Sequence, residues 1–273
     1  MNFFTPAEVA KNTIGIGKGK AALSASRMLL LGIMAGIFIG FAGVACTMAG
    51  VGVPIASTGK LVGAAIFPGG LAMVLLAGSE LFTGNSLMIV PLLEKEITLG
   101  GMLKNWGIVW VGNLIGGMLV AAGTAYGHTM SLFGNGYGAA AISTAATKCS
   151  LTLGDALIRG ILCNILVCVA VWISFAAKDV VSKIVGIFFP VTMFVFSGFE
   201  HSIADMYFVF AGYFGKTVPA YAEAAVAAGT NLDAITLGTI FGKCLIPVSV
   251  GNVMGGAFVA CVYWYCFLKK DKK

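Results

Sequence analysis

The sequence predicts an all-α membrane protein of six transmembrane helices, arranged as two inverted repeats with broken second and fifth helices. Two observations lead to this prediction: the chain is too apolar for a soluble fold, and its halves carry the same polar interruption. Of its 273 residues, 59% are hydrophobic and 10% are charged, whereas a soluble protein carries about 25% charged residues. The lipid bilayer is therefore the expected surroundings of most of the chain.

Five long segments contain no Asp, Glu, Lys or Arg, and about 20 apolar residues suffice to cross the hydrocarbon core of a bilayer. These segments are 28–59, 61–79, 105–147, 160–177 and 244–268. Six spans account for them together with the apolar stretch between 184 and 214. We place the spans near 28–50, 61–93, 105–130, 155–177, 184–214 and 236–268.

The polar interruption has the same spacing in both halves: a glycine, a glutamate two residues later, and a polar residue five positions after that. The copies are offset by 120 residues and consist of Gly78, Glu80 and Asn85, and of Gly198, Glu200 and Asp205. A carboxylate inside a hydrophobic span is costly, so two in corresponding places suggest a function. Paired interruptions predict non-helical backbone in spans two and five, around a transport site near the bilayer midplane.

The repeat extends beyond the two interruptions. Residues 32–36 of the first span resemble 160–164 of the fourth, and 112–117 of the third resemble 251–256 of the sixth. Three helices followed by three similar ones have opposite orientations because three is an odd number. We therefore expect one transmembrane domain over 1–273, with an N-terminal interfacial helix in 1–27, a first repeat in 28–131 and a second repeat in 155–268.

The distribution of Lys and Arg predicts the orientation in the membrane. With six spans, five of the 17 basic residues fall on one side, namely Lys60, Lys148, Arg159, Lys216 and Lys243. The other twelve, including the tail residues Lys270, Lys272 and Lys273, fall on the side of both termini. Because cytoplasmic loops carry the excess of basic residues, both termini are expected in the cytoplasm, in a multi-pass plasma-membrane protein.

Several other features predict structure rather than chemistry. Thr5, Pro6 and Glu8 form a helix-start signature, so residues 5–24 are expected to form an interfacial helix, or alternatively a plug at the cytoplasmic mouth. The seven cysteines form no CxxC pair and are expected to pack in the core, with no metal site. No basic stripe interleaved with aromatic residues indicates nucleic-acid binding.

Four segments carry a resemblance to a known family, namely 199–206 (FEHSIADM), 160–172 (GILCNILVCVAVW), 246–252 (IPVSVGN) and 81–83 (LFT). They resemble the signatures of the formate/nitrite transporter family, and the similarity runs from about residue 5 to 268. The resemblance implies an aquaporin-like fold, a homopentamer with one pore in each protomer, and passage of small monovalent anions of weak acids. Formate, nitrite and hydrosulfide are the anions it implies, and the chain as a whole looks closest to the hydrosulfide branch.

The resemblance also assigns roles to residues at matching positions. His201 corresponds to the central pore histidine, opposite Thr83 with Asn164 alongside, and Lys148 matches a lysine of the outer vestibule. Apolar constrictions above and below the histidine are expected from Phe67, Leu71, Leu81 and Phe194. The interrupting glutamates, Glu80 and Glu200, are expected to anchor the loop backbone. No cofactor, no metal and no catalytic residue is expected.

The chemistry of these residue types leaves two mechanisms open. Of two histidines, His201 is the one deep in a span, and imidazole titrates near physiological pH. Either His201 hydrogen-bonds an anion that Lys148 has attracted, or it donates a proton so that the neutral acid crosses the apolar rings, which the sequence narrowly favours. A proton-coupled symporter and an aquaporin-like channel for uncharged solutes are the alternative functions. An enzyme is not expected, because Ser197, Glu200 and His201 lack a nucleophile-elbow context.

Overall fold

Residues 3–269 are described by a computed structural model, and the tail lysines 270, 272 and 273 lie outside them. Six helices are long and apolar enough to cross a membrane, namely Ala25–Gly50, Ala56–Ala77, Leu99–Tyr126, Leu153–Ala176, Val180–Ser197 and Leu237–Phe267. The predicted all-α class and the six spans are confirmed.

The first half of the chain contains the N-terminal helix and three spans. Its helices are α1 (Pro6–Ala21), α2 (Ala25–Gly50), α3 (Ala56–Ile66), α4 (Pro68–Ala77), the short α5 (Ile89–Leu93) and α6 (Leu99–Tyr126), with a 3-10 turn at Gly84–Met88 before α5. The second half follows the same plan with additional short helices. It contains α7 (Gly136–Cys149), α8 (Leu153–Ala176), α9 (Val180–Ser197), α10 (Ser202–Gly215), α11 (Pro219–Ala227), the single turn α12 (Leu237–Thr239) and α13 (Ile246–Phe267).

Both predicted interruptions are present as non-helical backbone. Helix α4 ends at Gly78, whose φ is +82°, and helix α9 ends at Gly198, whose φ is +71°. These positive φ values favour glycine because it lacks the Cβ that strains other residues there. The chain resumes a helical course at Gly84 in the first half and at Ser202 in the second. Loop 78–83 and loop 198–201 therefore stand at corresponding places.

The repeated small residues let the helices of each half approach closely. Helix α2 packs along α6, and α8 packs along α13. A Cβ atom on Gly36 would come within 2.2 Å of the carbonyl oxygen of Asn113, and one on Gly255 within 2.2 Å of that of Ile161. Glycine at these positions thus permits backbone-to-backbone contact, the usual packing of membrane helices that lack a hydrophobic driving force between them.

Capping residues explain why helices α6 and α9 begin earlier than charge alone indicates. Helix α6 begins at Leu99 because the Thr98 hydroxyl accepts a bond from the Gly101 N–H. Helix α9 begins at Val180 because the Asp179 carboxylate accepts a bond from the Ser182 N–H. Hydrogen bonding from the Ser182 side chain, and next from its backbone, lowers the pKa of Asp179. Capping residues satisfy the free N–H groups of a first turn. Each helix therefore starts at its capping residue, before the lysine in its first two turns. The lysine indicates where the helix enters the membrane.

Helix α1 begins with the predicted capping box. The Thr5 N–H donates to the Glu8 carboxylate at 2.7 Å, and the Thr5 hydroxyl accepts from the Glu8 N–H. The bond from the Thr5 backbone lowers the pKa of Glu8. Helix α1 packs against α5, the 3-10 turn and α8, so it contacts the transmembrane helices.

Replacing Gly78 by Ala isolates the cost of the first loop's backbone geometry. A Cβ at Gly78 meets nothing within 4 Å, so the strain of positive φ is the only penalty. We expect a loss of about 1–2 kcal/mol of stability. The matched control is Gly69→Ala in α4, which also meets nothing within 4 Å and lies within the helix, where alanine is the better residue. Thermal unfolding in detergent measures both variants. Equal melting temperatures would contradict the strained, positive-φ backbone that we assign to position 78.

Candidate functional site

Two cavities open toward opposite ends of the helix bundle, with a small cavity between them. The Lys148 vestibule, about 490 Å³, is lined by residues of α2, α3, α7, α9 and loop 198–201 that include Lys148 and His201. The Lys20 vestibule, about 320 Å³, is lined by residues of α1, α4 and loop 78–83 that include Lys20. The central cavity, about 10 Å³, has room for about one water molecule.

All four predicted constriction residues line the central cavity. Phe67 and Phe194 also line the Lys148 vestibule, and their ring centroids lie 5.9 Å apart in an edge-to-face contact. Leu71 and Leu81 also line the Lys20 vestibule. The structure thus places one aromatic pair and one leucine pair between the central cavity and the two vestibules.

His201 lies on the wall of the central cavity and is 3% exposed. Its Nε2 is 2.8 Å from the Thr83 hydroxyl oxygen, and its Nδ1 accepts a bond from the Ala204 N–H at 3.1 Å. Because Nδ1 is an acceptor, the neutral ring carries its proton on Nε2 and donates it to Thr83. The imidazole is also stacked on Phe194, with centroids 5.7 Å apart, so its position is fixed on three sides.

Asn164 lies behind loop 78–83 and supports Thr83. Its side-chain N–H group donates to the carbonyl oxygens of Thr83 and Asn252, at 3.2 Å and 2.6 Å. One turn further along α8, the Cys168 thiol donates to the same Thr83 carbonyl at 3.7 Å. The residue predicted to lie alongside His201 therefore acts on the backbone that carries Thr83, and one of the cysteines expected to pack in the core does the same.

Two equivalent asparagines form hydrogen bonds with backbone N–H and C=O groups of the two loops. The side chain of Asn113 on α6 donates to the carbonyls of Gly32 and Glu80 and accepts from the Phe82 N–H. The side chain of Asn252 on α13 makes the matching three bonds, to the carbonyls of Gly160 and Glu200 and from the Ser202 N–H. Both asparagines are fully buried. Each loop is thereby tied to two helices of its own half.

The two interrupting glutamates each pair with a lysine. Lys20 Nζ lies 2.7 Å from the Glu80 carboxylate. Lys148 Nζ bonds the Glu200 carboxylate and lies 2.7 Å from the Asp205 carboxylate. All three carboxyl groups are buried, with at most 7% of each side chain exposed. The charges therefore hold each loop against the helix that carries its lysine, α1 in the first half and α7 in the second.

The sequence pattern that describes formate/nitrite transporters matches residues 7–265 of the chain. The chain belongs to the formate/nitrite transporter family. A probable formate transporter of Methanothermobacter thermautotrophicus is 38% identical, over 98% of this chain and 99% of the relative. The protein is thus an integral, multi-pass membrane transporter.

Two solved structures resemble this formate/nitrite transporter over most of its length. A pentameric formate channel with formate bound is 32% identical, with a TM-score of 0.79, over 90% of this chain and 98% of that one. An ion channel of the same family is 28% identical, with a TM-score of 0.82, over 95% of this chain and 98% of that one.

The sequence reasoning missed Lys20 as the partner of Glu80 in this family member. A signal for it was present, because Lys20 and Lys148 are offset by 128 residues, like Gly32 and Gly160. Helix α1 is therefore the counterpart of α7, and each repeat begins with a helix that ends near a loop-binding lysine. No group of three or more His, Cys, Asp or Glu that could hold a metal ion occurs within residues 3–269.

Substituting leucine for Asn252 tests the loop-anchoring bonds of this transporter. The variant loses three buried bonds, and each buried group left without a partner costs about 1–3 kcal/mol. We expect at least about 2 kcal/mol of destabilisation, and a comparable loss for Asn113→Leu. The control Asn12→Leu, on the exposed face of α1, is expected to change stability by no more than about 0.5 kcal/mol. Thermal unfolding in detergent measures all three, and a change for Asn252→Leu as small as the control's would refute the anchoring role.

Proposed function

We propose that the protein is a channel for small monovalent anions of weak acids, with one pore through the single transmembrane domain of each protomer. The observation that carries the proposal is the bond between His201 and Thr83, set in an apolar cavity between two basic vestibules. A hydrogen-bonding pair between apolar rings suits a small solute that sheds its water and needs one polar contact on the way.

Basic residues line both vestibules. Lys60, Lys148 and Arg159 line one, and Lys20 and Lys183 line the other. A cleft lined by charges of one sign concentrates ligands of the opposite sign. The Lys148 vestibule also contains the Glu200 and Asp205 carboxyls, and Lys148 is bonded to both. Lys60 and Arg159 are therefore the cations best placed to attract an anion on that side.

The central cavity excludes a bare anion on energetic grounds. Moving an unpaired charge into an apolar environment is very costly, and Phe67, Leu71, Leu81 and Phe194 surround the route. A weak acid avoids this cost because its protonated form is neutral. Glu80 and Glu200 anchor the loops in this proposal and do not transfer the proton.

The geometry of His201 supports hydrogen bonding over proton donation. Donation requires an imidazolium with protons on both nitrogens, but Nδ1 accepts the Ala204 N–H. A second proton on Nδ1 would break this cap of α10. We infer that His201 remains neutral and holds the Thr83 hydroxyl in place through a hydrogen bond from Nε2. The solute then acquires its proton in a vestibule.

The names of the similar proteins and the sequence resemblance point to different anions of one chemical class. The similar proteins are described as formate transporters and channels, whereas the sequence as a whole favours hydrosulfide. Formate, nitrite and hydrosulfide are all small and singly charged, and an apolar constriction separates solutes of similar shape weakly. We propose that all three pass, with hydrosulfide preferred.

Assembly and orientation complete the proposal. The similar formate channel is pentameric, and we propose a homopentamer for this chain. The excess of basic residues on the side of the termini supports a plasma-membrane protein with both termini in the cytoplasm. The Lys20 vestibule then faces the cytoplasm, beside α1, and the Lys148 vestibule faces outward.

Flux into proteoliposomes of the purified protein tests the function. Hydrosulfide, formate, nitrite, chloride and glycerol are compared in parallel. We expect rapid hydrosulfide, slower formate and nitrite, and no glycerol or chloride. Rapid glycerol without anion flux would indicate an aquaporin-like channel instead. A proton gradient drives formate accumulation through a pore for the neutral acid as well as through a symporter, so the concentration dependence separates the two. Flux that saturates at low formate concentration, as a conformational cycle imposes, would indicate an obligate symporter.

Replacing His201 by Asn tests the central hydrogen-bonding pair. Asparagine still caps α10, because it is a favoured N-cap residue, but its shorter side chain does not reach Thr83. The variant loses one buried hydrogen bond, which contributes about 1 kcal/mol. Since about 1.4 kcal/mol corresponds to a factor of ten, we expect formate flux to be about tenfold lower.

The control for this variant is His128→Asn. His128 has a φ of +58°, which asparagine tolerates, and lies outside the three cavities. Its flux is expected to equal that of the unmodified protein. Equal flux from both variants, with unchanged melting temperatures, would remove His201 from the mechanism.

A further inference from the structure

The two halves differ at one position of the otherwise equivalent loop anchors. In the first half, the Asn85 side-chain N–H group donates to the Glu80 carboxylate at 2.7 Å. Counting 120 residues onward, Asp205 takes the place of Asn85 and Glu200 that of Glu80. Lys148 Nζ bonds both the Glu200 and the Asp205 carboxyls, so the two groups lie side by side at one ammonium. An ionised carboxylate only accepts hydrogen bonds, so a bond between these groups requires a proton.

The charges around Asp205 support the same conclusion. Lys148 is the one residue within 3–269 whose side chain donates a hydrogen bond to either carboxyl. The side chains are 14%, 7% and 1% exposed for Lys148, Glu200 and Asp205. Arg159 influences Glu200 without forming an ion pair with it. Two carboxylates beside one ammonium would therefore leave a buried negative charge without an ion-pair partner of its own, which is strongly unfavourable. Moreover, Asp205 Oδ2 is buried without a donor, as expected for an oxygen that carries the proton itself.

We propose that Asp205 is protonated and donates its proton to Glu200, forming a carboxyl pair that senses pH in the Lys148 vestibule. With the proton bound, the pair and Lys148 are together neutral, like Lys20, Glu80 and Asn85 in the other half. When the proton leaves at high pH, the cluster gains a negative charge and repels an approaching anion. The protonation itself is independent of transport, whereas its effect on flux rests on the proposed function.

Other titratable groups surround the pair on several elements. They are Lys148 and Cys149 of α7, Cys163 of α8, Cys244 in the turn before α13, Arg159 beside Glu200, Cys46 of α2 near Lys148, and His201 and Lys60 on the vestibule wall. Of these, Lys148 bonds the carboxyls directly. The Asn85 amide does not titrate, so the inference predicts pH sensing from one side of the membrane.

Infrared difference spectroscopy tests the proton without measuring transport. We expect the carbonyl stretch of a protonated carboxylic acid in the unmodified pentamer near neutral pH, and its loss in Asp205→Asn. The variant is expected to fold, because Asn85 already occupies the equivalent place beside Glu80. The control Glu80→Gln removes a carboxyl that is paired with Lys20 and Asn85, and should leave the band unchanged. Absence of the band from the unmodified protein, or its persistence in Asp205→Asn, would overturn the inference.

The flux effect is measured as the ratio of Asp205→Asn to unmodified formate flux at each pH, which cancels the titration of formate. As pH rises on the Lys148 side, we expect this ratio to increase from about one to about tenfold, the effect of a unit charge about 12 Å from the anion at an effective dielectric constant of about 20. Varying pH on the Lys20 side should leave the ratio constant. A constant ratio on both sides would contradict the pH-sensing role. If the unmodified protein conducts no anion, the proposed function fails, and the infrared band still decides the protonation.

Discussion

The structure depends on satisfying peptide groups that leave the helix at the level of the bilayer. Lipid offers no hydrogen bonds, so non-helical backbone persists there only where protein groups replace the lost helical partners. Asn113 and Asn252 meet this requirement, each with two donated bonds and one accepted bond to its own half. Without such partners, loop 78–83 and loop 198–201 would be unfavourable in the membrane.

Once the loops are fixed, they hold their side chains toward the centre of the molecule. Thr83 from one loop and His201 from the other meet at 2.8 Å, and this bond joins the two halves. Asn164 and Cys168 hold the Thr83 carbonyl from behind, while Phe194 is stacked on the imidazole. A polar pair in an apolar cavity can therefore keep one orientation, as a selective contact with a small solute requires.

The halves are alike in scaffold and different in chemistry. At the offset of 120 residues, Leu81 corresponds to His201, and both line the central cavity. At the same offset Asn85 corresponds to Asp205. The repeated glycines, asparagines and lysines maintain two equivalent loops, while the exchanged residues give the central cavity two unlike sides. The two halves are thus symmetric in backbone and asymmetric in polarity, because His201 and Asp205 both come from the second half and line the Lys148 vestibule.

The sequence by itself determined the class, the six spans, the broken second and fifth helices and the family, because apolar length and a repeated motif of Gly and Glu are local properties of the chain. Tertiary structure alone decided which partners those residues find. The bond of Lys20 to Glu80, the position of Asn164 behind Thr83, and the joint contact of Lys148 with Glu200 and Asp205 each join segments more than 50 residues apart. Helix starts at Leu99 and Val180 were missed because capping by Thr98 and Asp179 outweighs the charge of a nearby lysine. The long-range contacts of Lys20, Asn164 and Lys148 depend on how the helices pack, which residue spacing alone does not specify.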